Sequence, residues 1–257
     1  MKQSVRLTVV IVAGIIVVIT GAVITTSSSV TYGAALANGT LTPTAWIYLP
    51  HISRQEPPTP TPTAIPPGVY ALPNHSYYVD STDYLHIVGE VRNNTGNHLR
   101  FVKIAADIFS SSGQLLDTDF TYIHLDNLPA GDKTCFHILL PKPAGWSYYQ
   151  FETPTYRTDG EPLPNLTVMN HSGSYNATYG GYEIIGQVRN DHGTRVEYVS
   201  PVGTAYNTSG TVVGCYFTYV NSTHLDAGQI SAFKLTFSGR DYSDVTSYRL
   251  QVDGNPQ

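Results

Sequence analysis

Between Tyr84 and Val91 apolar and polar side chains change places with a period of two. Leu85, Ile87, Gly89 and Val91 fall on one side of an extended chain, and Tyr84, His86, Val88 and Glu90 on the other. That spacing belongs to a strand with one face turned to a core. Tyr182, Ile184, Gly186 and Val188 repeat it. Val102, Ile104, Ala106 and Ile108 predict the next strand, and Ser112-Gly113, like Ser209-Gly210, is turn chemistry leading into a strand through Phe120 and Tyr122. Pro129-Ala130-Gly131 and Asp226-Ala227-Gly228 precede Phe136, Ile138 and Leu140 in one half and Phe233, Leu235 and Phe237 in the other. Tyr149-Gln150-Phe151 and Tyr248-Arg249-Leu250-Gln251-Val252 close each series. No helical period competes beyond the N-terminal residues.

These strands belong to an internal repeat. Gly89-Glu90-Val91-Arg92-Asn93 returns as Gly186-Gln187-Val188-Arg189-Asn190, an offset of 97 (186 minus 89). Gly89 to Phe136 slides along Gly186 to Phe233 without a gap, with 15 of 48 positions identical. A period of that size suits a tandem of whole domains rather than a solenoid. The expectation is an all-β chain of two tandem antiparallel, immunoglobulin-like β-sandwiches at 69–153 and 165–254, joined by a linker at 154–164.

The first 68 residues have a different character. Lys2 and Arg6 precede an uncharged run from Leu7 to Ile24, whose 18 residues come close to the roughly 20 that span a bilayer as a helix. Residues 1–37 are therefore expected to form an apolar helix, either a signal peptide cleaved after Ala37 in Ala35-Leu36-Ala37 or a retained anchor with its basic flank in the cytoplasm. Residues 38–68 carry Trp46-Ile47-Tyr48-Leu49-Pro50 and then the Thr/Pro alternation from Pro57 to Pro67. This is the composition of an extended stalk, reaching roughly 34 Å at ~3.1 Å per residue.

The pattern Gly89-Glu90-Val91-Arg92-Asn93, Val102, Ala106-Asp107-Ile108-Phe109-Ser110, Gly113, Leu128-Pro129-Ala130-Gly131 and Phe136 resembles the FxLYD domain. Its second copy runs through Gly203-Thr204-Ala205-Tyr206-Asn207, Gly210, Leu225, Ala227-Gly228 and Phe233. The resemblance implies small β-sandwiches of exported or membrane-attached prokaryotic proteins and carries no activity with it. Both copies depart from the name-giving motif, with Ala106 and Gly203 at its Phe and Ser110 and Asn207 at its Asp.

Charge narrows the functions further. Charged residues are 13% of the chain, the net charge is −5, and no Lys/Arg run offers a footprint for nucleic acid. The two cysteines, Cys135 and Cys215, align with Ala232 and Thr118, so no bridge forms inside one repeat. Either they join the two repeats or two chains, or they remain two half-buried thiols. No catalytic motif, cofactor site or metal site is expected. The candidates weighed were His75 and His171 in matching Asn-His-Ser triplets, Asp117 with Asp119 as a calcium pair, Glu90 with Asp107 as paired carboxylates, Arg92 with Arg189, and a sugar-binding face of Tyr77, Tyr78, Tyr148 and Tyr149. Each has a plainer role as turn, solvated edge, sheet-rim arginine or strand filling. Eight Asn-x-Ser/Thr sequons reflect an Asn/Thr-rich composition. The function expected is that of a non-enzymatic cell-envelope protein, attached to the membrane through Leu7 to Ile24 or secreted, presenting its domains to a protein or glycan. The alternatives are an accessory subunit of a membrane complex and an extracellular enzyme with an unrecognised site.

Overall fold

The structure is a computed structural model that describes residues 9–19, 22–32 and 67–257. The chain divides into two compact units, Met1–Thr61 and Pro62–Gln257.

In the first unit β1 (Val9–Ile19) and β2 (Ala22–Tyr32) pair antiparallel in unbroken register from Val9 opposite Tyr32 to Ile19 opposite Ala22. This corrects the expected apolar helix from Leu7 to Ile24. The run is dominated by β-branched residues, among them Val9, Val10, Ile11, Val12 and Ile15 to Ile19, whose χ1 is restricted in a helix and which suit a pleated surface. Among the described residues no helix is long and apolar enough to cross a membrane. The cleavage site at Ala37 and the stalk up to residue 66 lie outside the described residues.

The second unit is built entirely of strands in four small antiparallel sheets. In the first, β5 (Tyr84–Asn94) is central, with β3 (Gly68–Ala71) and β4 (Ser76–Val79) end to end along one edge and β9 (Lys133–Pro141) along the other. In the second, β6 (Leu99–Ser110) is central; β7 (Leu115–Tyr122) and β8 (Asn127–Leu128) lie along one side, β10 (Trp146–Phe151) and β11 (Thr155–Arg157) along the other. The other two sheets repeat this plan with fewer breaks. β12 (Leu166–Asn176), β13 (Gly181–Asn190) and β17 (Ile230–Phe237) form one. In the other, β14 (Val196–Tyr206) pairs with β15 (Val212–Phe217) and β16 (His224–Leu225) on one side and β18 (Ser247–Pro256) on the other. β11 pairs Thr155 with Lys103 and Arg157 with Arg100, as β18 pairs Asp253 with Ser200 and Asn255 with Glu197. Residues 155–157 of the expected linker therefore complete the last strand of the first repeat.

The repeated pentapeptide explains itself in this frame. A Cβ on Gly89 would stand 2.6 Å from the ring of Phe136, and one on Gly186 2.8 Å from the ring of Phe233, so only glycine lets the paired strand lay its aromatic ring across the backbone. Val91 and Val188 are buried in the two cores. Asn93 is buried and donates to the carbonyls of Asn97, Leu128 and Pro129, while its oxygen takes the amide of Thr95. Asn190 likewise donates to Thr194 and Leu225 and accepts from His192. One side chain thus ties two turns to a strand end, satisfying groups that would otherwise be buried without partners. Full burial of Asn93 also rules out a glycan on that sequon. At the hairpin tips Gly113 and Gly210 take φ of 82° and 76°, which L side chains rarely adopt.

The inward residues expected from the alternation, Leu85, Ile87, Val102, Ile104, Ala106, Ile108, Phe136, Ile138 and Leu140, form one hydrophobic cluster drawn from both sheets of the first repeat. Ile184, Val188, Phe233, Leu235 and Phe237 belong to a second cluster. The first extends across the repeat boundary to Val202 and Cys215.

Candidate functional site

Among the described residues, polar and aromatic side chains gather at the junction between the repeats, in a groove on the first, and in a smaller pocket of about 350 Å³ on the second, lined by Tyr198, Tyr219 and residues 220–223.

At the junction the outer face of β5 and β9 receives β14 and β15. Glu90 is 0% exposed, and its carboxylate accepts from Lys133 Nζ at 2.8 Å, Asn74 Nδ2 at 2.9 Å and the Tyr206 hydroxyl at 2.7 Å. Burial first, then the Glu90 carboxylate, hold the Tyr206 hydroxyl well above the usual phenol range. The Val212 amide donates to the Asn74 carbonyl at 2.7 Å, and the Ser76 hydroxyl to the Val212 carbonyl at 2.5 Å. Arg249 donates to the Lys133 carbonyl at 2.7 Å and to Asp132 at 2.8 Å. Cys135 and Cys215 are joined in a disulfide with Cα atoms 5.7 Å apart. Of the alternatives open for the cysteines, the bond between repeats is the one formed, and the half-buried thiols are corrected.

Beside this network Tyr78 stacks on His86, which shares a 2.8 Å hydrogen bond with His137 and a 3.2 Å one with Asp80. Burial, then the neighbouring His86 and His124, push His137 down to about 4; burial does the same to His124, whose ring lies 4.6 Å from that of Phe217. Both imidazoles are neutral near pH 7. Behind the junction a cleft of about 520 Å³ is lined by residues that include Arg100, Asp126, Glu161 and His192. Near it the carboxyl of Asp253, pushed up by burial, takes the amides of Asp126 at 2.7 Å and Gly254 at 2.8 Å.

The groove, about 460 Å³, is lined by His75, Ser76, Tyr77, Ser147, Tyr148 and Tyr149. It exists because edge strand β4 and strand β10 of the facing sheet bring their aromatic rings to the same side of the repeat. Tyr77 meets Trp146 edge to face at 5.1 Å, and Tyr148 stacks on Phe109. His75 Nδ1 and the Tyr149 hydroxyl are 2.6 Å apart. Burial lowers the His75 pKa, while burial and then Tyr77 push Tyr149 up to about 12, so the pair is an uncharged hydrogen-bonding edge at neutral pH. The second repeat keeps the His171 and Tyr248 bond at 2.9 Å but puts Gly173 where Tyr77 stands, with the rings of Tyr182 and Tyr248 pressed on it.

The residues weighed from sequence therefore scatter. Tyr77, Tyr148 and Tyr149 come together; Tyr78 turns to the junction. His75 and His171 are each paired with a tyrosine of the closing strand, a partner some 75 residues away that the triplets do not announce. Asp117 and Asp119 sit on edge strand β7 and hold the amides of Thr118 and Phe120. Among the described residues no group of three His, Cys, Asp or Glu side chains could hold a metal ion. Glu90 and Asp107 belong to different sheets: the first is sealed in the junction, the second takes the hydroxyl of Thr118. Arg92 donates to the Gly131 carbonyl at 3.2 Å, the sheet-rim role; Arg189 pairs instead with Asp191 at 2.7 Å. The junction has no local motif in the sequence; its signals are Val88 and Cys135, apolar residues at outward positions of β5 and β9.

No family model and no curated protein matches this chain. Among solved structures, the exo-chitosanase CsxA of Amycolatopsis orientalis is 10% identical over 72% of this chain and 26% of its own, with a TM-score of 0.25. The complex of a variant of that enzyme with PNP-beta-D-glucosamine gives the same figures, and red sea bream transglutaminase is 9% identical over 71% of this chain and 29% of its own, with a TM-score of 0.21. The chain spans about a quarter of the chitosanase. Superpositions at these scores carry no argument for a shared fold or activity.

Proposed function

We propose that this is a non-enzymatic, extracytoplasmic protein whose two repeats are FxLYD-like, immunoglobulin-like sandwiches, held on the membrane through the N-terminal apolar segment or released after Ala37. The observation that carries the reading is the disulfide between Cys135 and Cys215. A bond of that kind persists in oxidising compartments and is rare in reducing ones. It locks two domains into one body, which suits presentation of a surface more than movement about a hinge. The aromatic groove of the first repeat is the surface offered to a protein or glycan at the cell surface. The test is to block free thiols in intact expressing cells, fractionate them, and follow the chain on non-reducing gels while determining the mature N-terminus. An oxidised pool in the envelope or medium supports the proposal. A fully reduced cytoplasmic pool would sink it.

A further inference from the structure

Three groups of complementary reactivity meet at one buried point of the first repeat. Glu90 lies in the central strand β5; Asn74 lies in the turn between β3 and β4 on one edge of the sheet, and Lys133 begins β9 on the other. Lys133 Nζ reaches Glu90 Oε2 at 2.8 Å, and Asn74 Nδ2 reaches the same oxygen at 2.9 Å. The nitrogens of an amine and a carboxamide therefore lie within two hydrogen-bond lengths of each other, on a carboxylate that is 0% exposed. Its other oxygen, Oε1, is anchored by the Tyr206 hydroxyl. The Asn74 amide is held by its nitrogen alone, which also approaches the Gly210 carbonyl at 3.4 Å, while Oδ1 is buried with no hydrogen-bond partner. Buried polar atoms without partners are exceptions, and a strained or reactive group is one of the reasons for them.

We propose that the side chains of Lys133 and Asn74 join in an amide bond that the protein forms by itself, with Glu90 as the proton carrier. Glu90 takes a proton from the Lys133 ammonium, which frees the Nζ lone pair and leaves no charge in the buried pair. Nζ attacks Asn74 Cγ, and Glu90 Oε2 then passes its proton to Nδ2 and takes one from Nζ. The Cγ–Nδ2 bond breaks and the Nζ–Cγ bond remains. Ammonia leaves with the proton from Glu90, as ammonium, and the carboxylate is restored. No oxidant enters, so the reaction is independent of where the protein resides. The Lys133 side chain, 29% exposed, borders solvent and gives the ammonia a way out. Holding amine, amide and carboxylate on neighbouring strands supplies the proximity that so slow a reaction needs. The second repeat makes the assignment specific. It keeps the amide, since Asn170 donates to Gln187 at 2.8 Å, but Gln187 stands in place of Glu90 and Ile230 in place of Lys133. The copy that lacks the proton carrier also lacks the nucleophile. In the first repeat the bond ties both edges of the sheet across its central strand, and like any cross-link it restricts the unfolded chain.

The experiment is peptide mapping of the purified full chain by mass spectrometry, after reduction and digestion with trypsin. The fragments carrying Asn74 and Lys133 are expected as one branched species, lighter than the two together by one ammonia and uncut after Lys133. The fragment carrying Asn170 is expected unjoined. Recovery of the Asn74 and Lys133 fragments separately, with cleavage after Lys133, would overturn the proposal, because a salt bridge alone leaves the lysine free. Glu90→Gln and Lys133→Met are each expected to abolish the branched species while the disulfide between Cys135 and Cys215 still forms, a sign that the junction has assembled. A branched species that persists in Glu90→Gln would overturn the proposal equally. The wild-type result decides whether or not either variant folds.

Discussion

β5 and β13 start from nearly the same sequence and finish in opposite surroundings. In β13 burial alternates, with Ile184, Gly186 and Val188 inside and Ile185 in solvent. In β5 every residue from Leu85 to Val91 is buried, because the second repeat covers the side that solvent covers in the copy. One strand has become central in a three-layer arrangement while its twin stayed at a surface. A period of two reports the face a strand turns to its own core. The fate of the other face belongs to the neighbour, and it is written in single residues: Val88, Glu90 and Cys135 against Ile185, Gln187 and Ala232.

Four experiments set the two repeats against each other. Loss of the disulfide should act most strongly. The bond spans a sequence separation of 80, and closing a loop of that size restricts the unfolded chain by roughly 4–5 kcal/mol. Urea unfolding of Cys135→Ser should show a loss on that scale, whereas Ala232→Ser at the twin position should leave the midpoint in place. Equal midpoints in all three proteins would mean that the junction does not depend on the bond.

Glu90→Ala comes next. It strands Lys133, Asn74 and the Tyr206 hydroxyl at a buried contact, and removing one partner of such a network costs about 3 kcal/mol. Gln187→Ala removes one bond to Asn170 on an open face and is expected to cost under about 1 kcal/mol. Similar losses in the two variants would erase the distinction between a covered and an uncovered face.

Acid should loosen the first repeat before the second. His124 and His137 have folded pKa values near 4, below the ordinary 6.5. Between those values the unfolded chain binds more protons, so stability is full above about 6.5 and falls as pH drops toward 4. Each histidine contributes roughly 2–3 kcal/mol to that fall. His124→Gln and His137→Gln should flatten the slope of unfolding free energy against pH over this window. A slope unaltered in the double variant would place the acid sensitivity elsewhere.

Much of the single-repeat plan was legible. The inward positions of β5, β6, β9 and β13 and the turn glycines follow from local periodicity and from the offset of 97 within the sequence. The junction was not, because pairing Cys135 with Cys215, or Glu90 with Tyr206, depends on the angle at which one repeat meets the next. No local pattern encodes that angle. The groove was half legible for the same reason: Tyr77 and Tyr149 are 72 positions apart, and only the facing of two sheets brings them together. At the N-terminus, length and apolarity argued for a helix while the Val/Ile content argued for strands. The strands Val9–Ile19 and Ala22–Tyr32 are what form, because β-branched side chains fit a pleated surface better than a helix.

The smallest effect is the most direct measure of the comparison. Val88 and Ile185 occupy the same place in the repeat, one buried and the other exposed. Val88→Ala removes two methyl groups from a packed contact and should cost about 2 kcal/mol. Ile185→Ala removes more side chain from a surface and should stay within about 0.5 kcal/mol for the monomer. If dilute Ile185→Ala matched Val88→Ala, the second face would already be covered within a single chain. If it cost nothing when dilute yet lowered stability when concentrated, the missing cover would be another molecule of the same kind, since only association ties a surface residue to protein concentration.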